Sequence, residues 1–454
     1  MHITLILSAS PNDPLRKRDP IAPLSLPLLA ACVPEHDYTI LDMLWDDQIP
    51  YDKPTDLVGI SVRLHAQEYA YSVAREYRNK GVKVVLGGPQ ISAEPFMAKQ
   101  HADGVVIGEG EPLWPRIVED TLHDSLKSFY VCSPKPFEAK GHPVYQHYSY
   151  ADLNRTPFAN RSLLPRSYTF DSIFAVRGCP VNCDFCSVTE LFGSSYRKRP
   201  VKAVLKEIQT LGKYFYLLDD TVFGRKQLYP YYLSLYSKLA KIKKKRYWMG
   251  QANLDAAASS QGRAVIRQAA KAGLMYAAVG LESVNLQTLQ TSGALKKSGT
   301  ESSDYLKNMK ENVRFLHKQG VFVSGWFVVG YQSDCRTTWR ECLKFARQTG
   351  IFPVVFPVKA LPGTRLYKRV LSEGNLLESY RIAHHQLDEK TITEEMQHIK
   401  RKGHSLFNIA INTIRFAVIC PRQRLRRSLF ALITQLQLRK GIDILNKSFW
   451  KETG

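Results

Sequence analysis

The sequence predicts an α/β protein with two successive parallel sheets and a C-terminal helical extension. Three observations predict this: short apolar runs alternate with helical patterns in residues 1–130, six further strand patterns follow in 168–370, and amphipathic basic helices fill 371–454. Residues 131–167 are rich in proline and irregular, which is typical of a linker. We therefore expect three domains and one linker with these bounds.

The first region has the pattern of a doubly wound, Rossmann-like sheet. Its strand patterns are "ITLIL", "YTILD", "DLVGISV", "VKVVLGG" and "DGVVIGEGE". In such sheets a ligand binds beyond the carboxyl ends of the strands. Turns with small residues lie at two of these ends: Gly87, Gly88 and Pro89 after one strand, and Gly108, Glu109, Gly110 and Glu111 after another.

The second region predicts a partial (β/α)6 barrel. Its strand patterns are "SIFAVR", "YFYLLDD", "YWMGQANLD", "MYAAVGLES", "VFVSGWFVVG" and "FPVVFPVKA". Functional side chains of such barrels gather at the carboxyl ends of the strands. The aromatic residues of this region have two interpretations, an apolar pocket or core packing; they are Trp248, Tyr276, Trp326 and Phe356.

Three cysteines follow the first of these strands in "RGCPVNCDFCS", at Cys179, Cys183 and Cys186. Three thiols cannot all pair as disulfides, and the other five cysteines are scattered, so the spacing indicates a metal site. A closed zinc site needs a fourth ligand, and none lies nearby in sequence. A [4Fe-4S] cluster held by three thiolates keeps one iron open. The alternatives are a zinc knuckle or three unrelated buried thiols.

This C-x3-C-x2-C spacing, with Phe185 directly before the last cysteine, resembles the radical S-adenosylmethionine (SAM) superfamily. The resemblance implies that the open iron is chelated by the amino and carboxylate groups of SAM. An electron from the cluster then cleaves SAM to a 5'-deoxyadenosyl radical.

The resemblance also implies roles for residues at the ends of the later strands. In "LLDDTVF", Asp219 and Asp220 meet the SAM amino group, although Asp220 has the alternative role of a cap. Gln251 contacts SAM or substrate, and in "VGLES" Glu282 and Ser283 lie near the SAM carboxylate or ribose. In "SGWFVVGYQSD", Gly325 leaves room for the adenine beside Trp326. "ALPGTRLY" resembles a turn that closes this domain, and a plain Pro-Gly turn is its alternative.

In the first region, "PIAPLSLPLLAA", "DLVGISVR", "VVLGGPQISAEP" and "VIGEGEP" resemble the cobalamin-binding domain that precedes many radical SAM domains. The Asp-x-His-x-x-Gly loop that supplies a lower histidine ligand is absent, which the radical SAM relatives share. The residues expected near the lower face of the cobalt are Arg63, Leu64 and His65. His65 has two interpretations, a cobalt ligand or a surface residue.

Together the resemblances imply a cobalamin-dependent radical SAM methyltransferase that methylates an unactivated carbon of a small-molecule, lipid or peptide substrate. One SAM methylates cobalt, a second yields the radical that removes a hydrogen atom, and the carbon radical takes the methyl group. A flavodoxin or ferredoxin is the expected electron donor. The alternatives are a rearrangement, ring contraction or cyclisation, a sheet without cobalamin, tRNA methylthiolation, and a non-catalytic cobalamin or cluster sensor.

Net charge and hydropathy indicate the cellular environment of the protein. Lys plus Arg outnumber Asp plus Glu by 63 to 41, a net charge of +22. The first residues read as a strand rather than a signal peptide, and no apolar run reaches about 18 residues. Unpaired thiols and an oxygen-sensitive cluster fit a reducing interior, so we expect a cytoplasmic protein.

The C-terminal region has no acidic residue between Glu395 and Asp443. Apolar residues repeat there at helical spacing, in one set at Phe407, Ile411, Ile414 and Val418 and in another at Leu425, Leu429, Leu432 and Leu436. One interpretation is that these helices pack on the barrel with a solvated basic face. The other is peripheral contact with a membrane. Nucleic acid is disfavoured, because no RNA-binding signature accompanies the charge.

Overall fold

Two units make up the chain in the structure, a computed structural model that describes residues 1–11, 13, 16–63, 66–299, 304–385, 387–420 and 424–451. The first unit consists of residues 1–172 with the short segments 191–193 and 197–200. The second unit consists of 173–190, 194–196 and the described residues from 201 onward. The domain bounds at 130, 167 and 370 stay predictions.

The first unit is built on a parallel sheet. Its strands are β1 (His2–Leu7), β2 (Asp37–Asp42), β3 (Leu57–Ser61), β4 (Lys83–Gly87), β5 (Gly104–Gly108), β6 (Phe129–Cys132) and β7 (Val144–His147). They lie in the order β2-β1-β3-β4-β5-β6-β7, and every neighbouring pair is parallel. The helices of this unit are α1 (Ser25–Cys32), α2 (Gln67–Asn79), α3 (Pro89–Ala93), α4 (Pro95–Lys99) and α5 (Trp114–Leu122).

Both faces of this sheet are buried, because alternate residues of a strand point to opposite faces. In β1, Leu5 packs with Trp114 of α5 in one cluster, and Ile6 packs with Ala70 and Tyr77 of α2 in the other. The doubly wound fold predicted from the sequence is confirmed. The chain leaves β1 for the edge strand β2 and returns on the other side at β3, so the switch point lies between the carboxyl ends of β1 and β3.

Further along the chain the strands are β8 (Asp171–Ile173), β9 (Val176–Arg177), β10 (Arg197–Lys198), β11 (Tyr214–Leu217), β12 (Tyr247–Ala252), β13 (Leu274–Glu282), β14 (Phe322–Val329) and β15 (Phe352–Pro357). The helices are α6 (Val188–Phe192), α7 (Val201–Thr210), α8 (Tyr229–Leu239), α9 (Ser260–Lys271), α10 (Leu286–Thr291), α11 (Tyr305–Lys318), α12 (Arg336–Thr349), α13 (Arg365–Ser372), α14 (Glu389–Gly403), α15 (Leu406–Ile419) and α16 (Arg424–Lys451).

The second sheet has the order β15-β14-β13-β12-β11-β8, so each new strand is added on the same side. The neighbouring pairs from β11 to β15 are parallel. Within the described residues β8 and β15 stand at opposite ends, and the sheet is not closed. This confirms the partial barrel that the strand patterns predict. No helix in the described part of the chain is both long and apolar enough to cross a bilayer.

Aromatic side chains fill the core of the second unit. Trp248 is buried, its ring stacks on Phe215 with centroids 6.1 Å apart, and its Nε1 donates to the carbonyl of Ala272 at 3.1 Å. Tyr276 is also buried and hydrogen-bonds Ser324. For Trp248 and Tyr276, core packing is therefore the interpretation that the structure supports.

We predict that Phe215→Ala lowers the free energy of unfolding by about 3 to 5 kcal/mol, since it opens a cavity in this core. Phe215 is 1% exposed, whereas Phe407 is 76% exposed and provides the matched control. Phe407→Ala should change the free energy by less than about 0.5 kcal/mol. Guanidinium unfolding followed by tryptophan fluorescence measures both, and equal losses for the two variants would contradict this core.

Candidate active site

The cysteine loop follows β9 in the second unit. Gly178 at φ +91° and Asn182 at φ +56° turn the chain tightly around Cys179 and Cys183. None of the eight cysteines, all of which lie in the described residues, forms a disulfide bond. Among the described residues no three His, Cys, Asp or Glu side chains form a group able to hold one metal ion. A cluster does not require this, because each thiolate binds a different iron.

Burial and one buried cation dominate the electrostatics of this loop. Burial raises the pKa of Cys179, Cys183 and Cys186, that of Cys183 to about 12. The Lys297 ammonium acts in the opposite direction and lowers the pKa of all three thiols. Thiolates in this position therefore need added positive charge, which a bound metal cluster supplies.

Asp184, inside the cysteine loop, is a buried carboxylate with two side-chain partners. The hydroxyl of Tyr331 donates to its Oδ1 at 2.7 Å, and Nη2 of Arg369 donates to its Oδ2 at 2.9 Å. Tyr331 follows β14, and Arg369 lies on α13. These contacts, which we call the Asp184 clamp, fix the loop from two distant segments.

The "ALPGTRLY" segment supports the same clamp. Thr364 caps α13, because its Oγ1 accepts a hydrogen bond from the backbone N–H of Tyr367 at 3.1 Å. Leu366 N donates to the carbonyl of Asp184 at 2.9 Å, and Arg365 donates to the carbonyl of Asn182. The turn therefore positions a helix against the cysteine loop.

Asp219 and Asp220 also hold the start of this loop. Asp219 is fully buried, and its oxygens accept from Ala175 N at 2.6 Å, from Val176 N at 3.0 Å and from the Tyr232 hydroxyl at 2.7 Å. Desolvation raises the pKa of Asp219 to about 7 in spite of these bonds. Asp220 Oδ2 accepts from Gly178 N at 2.9 Å. Their assignment to the SAM amino group stays a prediction.

The end of β13 carries Glu282, a buried non-glycine residue at φ +63°. Its Oε1 accepts from Nζ of Lys297 at 2.6 Å. Desolvation lowers the pKa of Lys297, but Glu282 and the nearby cysteines outweigh it and raise the pKa above its usual value. Ser283 is buried, and its Oγ accepts from Asn285 N at 3.0 Å.

The other residues predicted for this site lie as follows. The Phe185 ring is 5.8 Å from Nζ of Lys297, and Gln251 is exposed and hydrogen-bonds Tyr216. An added Cβ at Gly325 would lie 2.5 Å from Ile351, so the room left by the glycine is filled by protein side chains. Trp326 is half-buried, and its ring lies 5.5 Å from that of Phe356.

Sequence reasoning missed Lys297 and Tyr196 near this loop, and also Thr221, which directly follows Asp220. The Tyr196 hydroxyl and the Thr221 Oγ1 are buried and have no hydrogen-bond partner among the described residues. Burial raises the pKa of Tyr196, and the nearby Cys179 and Asp220 raise it further. An orphaned buried donor near Cys179, such as the Tyr196 hydroxyl, fits a polar molecule bound there. No motif marks Lys297 or Tyr196, because only the fold brings them to the cysteines, whereas Thr221 lies within the "LLDDTVF" segment.

In the first unit, glycines let the strand ends approach each other closely. Gly88 has φ +106°, and a Cβ there would lie 2.7 Å from the carbonyl oxygen of Val62. Gly108 has φ +85°, and a Cβ there would lie 2.5 Å from the carbonyl oxygen of Cys132. Gly87 ends β4, and Pro89 begins α3.

The other residues predicted for this edge of the sheet differ in their burial and in their contacts. Glu109 is buried, forms an ion pair with Arg197 at 2.9 Å and accepts from Ala151 N at 3.0 Å. Gly110 packs near Leu29, and Glu111 is half-buried. Arg63 follows β3, and its buried Nη1 has no partner among the described residues. Leu64 and His65 lie outside the described residues.

No protein-family model matches this chain. Known proteins that are similar to it include the following relatives and solved structures. Bacteriochlorophyllide d C-8(2)-methyltransferase of Chlorobaculum tepidum is 27% identical over 367 residues, 78% of this chain and 77% of the relative. Bacteriochlorophyllide d C-12(1)-methyltransferase of the same organism is 29% identical over 361 residues, 77% and 73% of the two chains.

Two solved structures share the fold over most of the chain. The cobalamin-dependent SAM radical enzyme OxsB with aqua-cobalamin matches with TM-score 0.68 and 16% identity, over 98% of this chain and 72% of its own. The radical SAM methyltransferase TsrM from Kitasatospora setae, with cobalamin and a [4Fe-4S] cluster, matches with TM-score 0.63 and 16% identity, over 82% and 78%. The resemblance seen in the sequence is confirmed at the level of the fold: the chain shares the fold of these cobalamin-dependent radical SAM enzymes.

Proposed function

We propose that the protein is a cobalamin-dependent radical SAM methyltransferase that methylates an unactivated carbon of a small-molecule, lipid or peptide substrate. The observation that carries the proposal is the cysteine loop, fixed by the Asp184 clamp at the edge of an open parallel sheet. The two Chlorobaculum relatives, each a methyltransferase by name, support methyl transfer over other radical reactions.

The residues of the second unit fit a cluster and SAM. Cys179, Cys183 and Cys186 would hold the iron, and the orphaned hydroxyls of Tyr196 and Thr221 would bind polar groups of SAM. When bound, the cluster, SAM and cobalamin supply a 5'-deoxyadenosyl radical and a transferable methyl group. The Asp184 clamp keeps the cysteine loop in place. Asp219 holds strand β9, which leads into the loop, by accepting hydrogen bonds from the backbone N–H groups of Ala175 and Val176.

The first unit fits a corrin with amide groups on its rim. The glycine turns at Gly87, Gly88 and Gly108 bring backbone to the carboxyl edge of the sheet, where a flat ligand rests in doubly wound folds. The orphaned Nη1 of Arg63 would donate to a corrin amide. Glu109 instead keeps the Arg197 segment in place.

A low-potential electron donor and a reducing compartment belong to this proposal. A flavodoxin or ferredoxin would supply the electron, and the eight free thiols support a cytoplasmic location.

We predict that Cys179→Ala/Cys183→Ala/Cys186→Ala abolishes cluster assembly, because it removes all three thiolate ligands. Anaerobic reconstitution with iron and sulfide, followed by iron analysis and visible absorption, measures this. Cys335→Ser changes a half-buried thiol elsewhere and is the control, which should keep the full iron content. Equal iron in the triple variant would contradict the assignment.

Tyr331→Phe should loosen the cluster, because it removes a hydrogen bond to a buried carboxylate inside the loop. We expect a stability loss of about 1.5 to 3 kcal/mol and faster removal of iron by a chelator. Tyr276→Phe is the control, since it removes a buried hydroxyl that bonds Ser324 instead. It should lose stability without faster iron removal. The same chelation rate in both variants would show that the clamp does not hold the cluster.

The reaction itself is tested by counting products. With reductant, SAM, hydroxocobalamin and a panel of small molecules, lipids and peptides, we expect a methylated substrate with S-adenosylhomocysteine and 5'-deoxyadenosine in equal amounts. Mass spectrometry measures all three. If the substrate is consumed and 5'-deoxyadenosine forms without S-adenosylhomocysteine, methyl transfer is contradicted and a rearrangement or cyclisation is indicated.

A further inference from the structure

Helices α15 and α16 expose apolar side chains on one side of the second unit. We call these residues the apolar stripe: Phe407 (76% exposed), Ile414 (63%), Val418 (69%), Leu425 (85%), Leu429 (55%) and Ile433 (49%). On each helix they are spaced by about one or two turns and so share a face. Large exposed apolar patches on a protein surface mark interaction sites.

Polar side chains occupy the opposite, buried faces of these helices. Asn412 donates to the carbonyl of Ile351 at 3.1 Å, and Arg427 donates to the carbonyls of Leu274 at 3.1 Å and Ala270 at 3.2 Å. Gln435 is buried and donates to Thr413 of α15 at 2.9 Å. Backbone carbonyls of the second unit thus fix the helices through polar contacts, together with buried Ile409, Phe416 and Ala431, while the residues of the apolar stripe are left outward.

Basic side chains accompany the apolar stripe. Arg415 and Arg426 are exposed on the two helices. The Arg426 guanidinium lies 3.8 Å from the centroid of the Tyr247 ring, and the lysines shortly before Tyr247 in sequence are also exposed: Lys243, Lys244 and Lys245. With no acidic residue between Glu395 and Asp443, this surface is strongly cationic.

We propose that the apolar stripe and these basic residues dock the second unit on a bilayer with anionic headgroups. Aliphatic groups enter the headgroup boundary while Lys and Arg pair with lipid phosphates, which is how interfacial helices bind. A second copy of the chain is disfavoured as occupant, because two surfaces of the same positive charge repel. Nucleic acid is disfavoured, because the stripe is largely aliphatic and offers bases little to stack on. The proposal is independent of the reaction that the enzyme catalyses.

Vesicle co-sedimentation of the full chain tests this proposal. Vesicles of phosphatidylcholine, alone or with added phosphatidylglycerol, are the probes. We expect binding to the anionic vesicles that weakens at high salt. Phe407→Glu/Ile414→Glu/Leu425→Glu should reduce the partition coefficient about tenfold or more, because charged groups replace apolar ones in the interface.

Met97→Glu/Leu122→Glu/Leu377→Glu is the matched control, since it adds the same charge at exposed apolar residues elsewhere. The control should bind like the parent protein. The proposal is overturned if the parent protein ignores anionic vesicles, if both triple variants bind equally, or if RNA is bound in place of vesicles. A parent dimer that the stripe variant converts to a monomer, without vesicle binding, would equally assign the stripe to a protein interface.

Discussion

The candidate active site depends on the hydrogen bonds that the buried carboxylate of Asp184 accepts. This residue lies between the second and third cysteines of the loop, and its partners Tyr331 and Arg369 are 147 and 185 positions away. A buried charge without partners destabilises a fold, so the loop is held where both partners reach it. The segment after β14 and helix α13 thereby determine where the thiols lie. A site preorganised in this way needs little rearrangement when its cofactor binds.

Other acidic residues at strand ends have the same kind of role. Asp219 accepts backbone hydrogen bonds from β9 and its preceding residue, Glu109 pairs with Arg197, and Glu282 pairs with Lys297. Each joins segments that are distant in sequence. The cofactors would therefore contact backbone groups, orphaned hydroxyls and the Lys297 ammonium more than free carboxylates. The motifs, in contrast, assign these carboxylates to SAM directly.

Local patterns predicted much of this molecule, because both strand burial and cysteine spacing are short-range properties. The second sheet, the loop at residues 179–186 and strands β1 to β5 of the first sheet followed from them. Strands β6 and β7 did not, and β7 lies within the segment predicted as a linker. Lys297, Tyr196 and Arg369 could not be found this way, since only the folded chain brings them to the cysteines. The apolar repeats of α15 and α16 predicted a helical face but not its direction. Buried Asn412 and Arg427 found carbonyl partners, so polar side chains pack inward beside Phe416, and part of the apolar repeat is left outward.

The central claim is that the three thiols hold a [4Fe-4S] cluster with one iron open to SAM. Electron paramagnetic resonance of the reconstituted, reduced protein, recorded with and without SAM, tests it most directly. The account predicts a cluster signal whose g-values shift when SAM is added, because SAM binds an iron that lacks a thiolate. A cluster signal that SAM leaves unchanged, or a protein that holds a single metal ion at these cysteines, would contradict it.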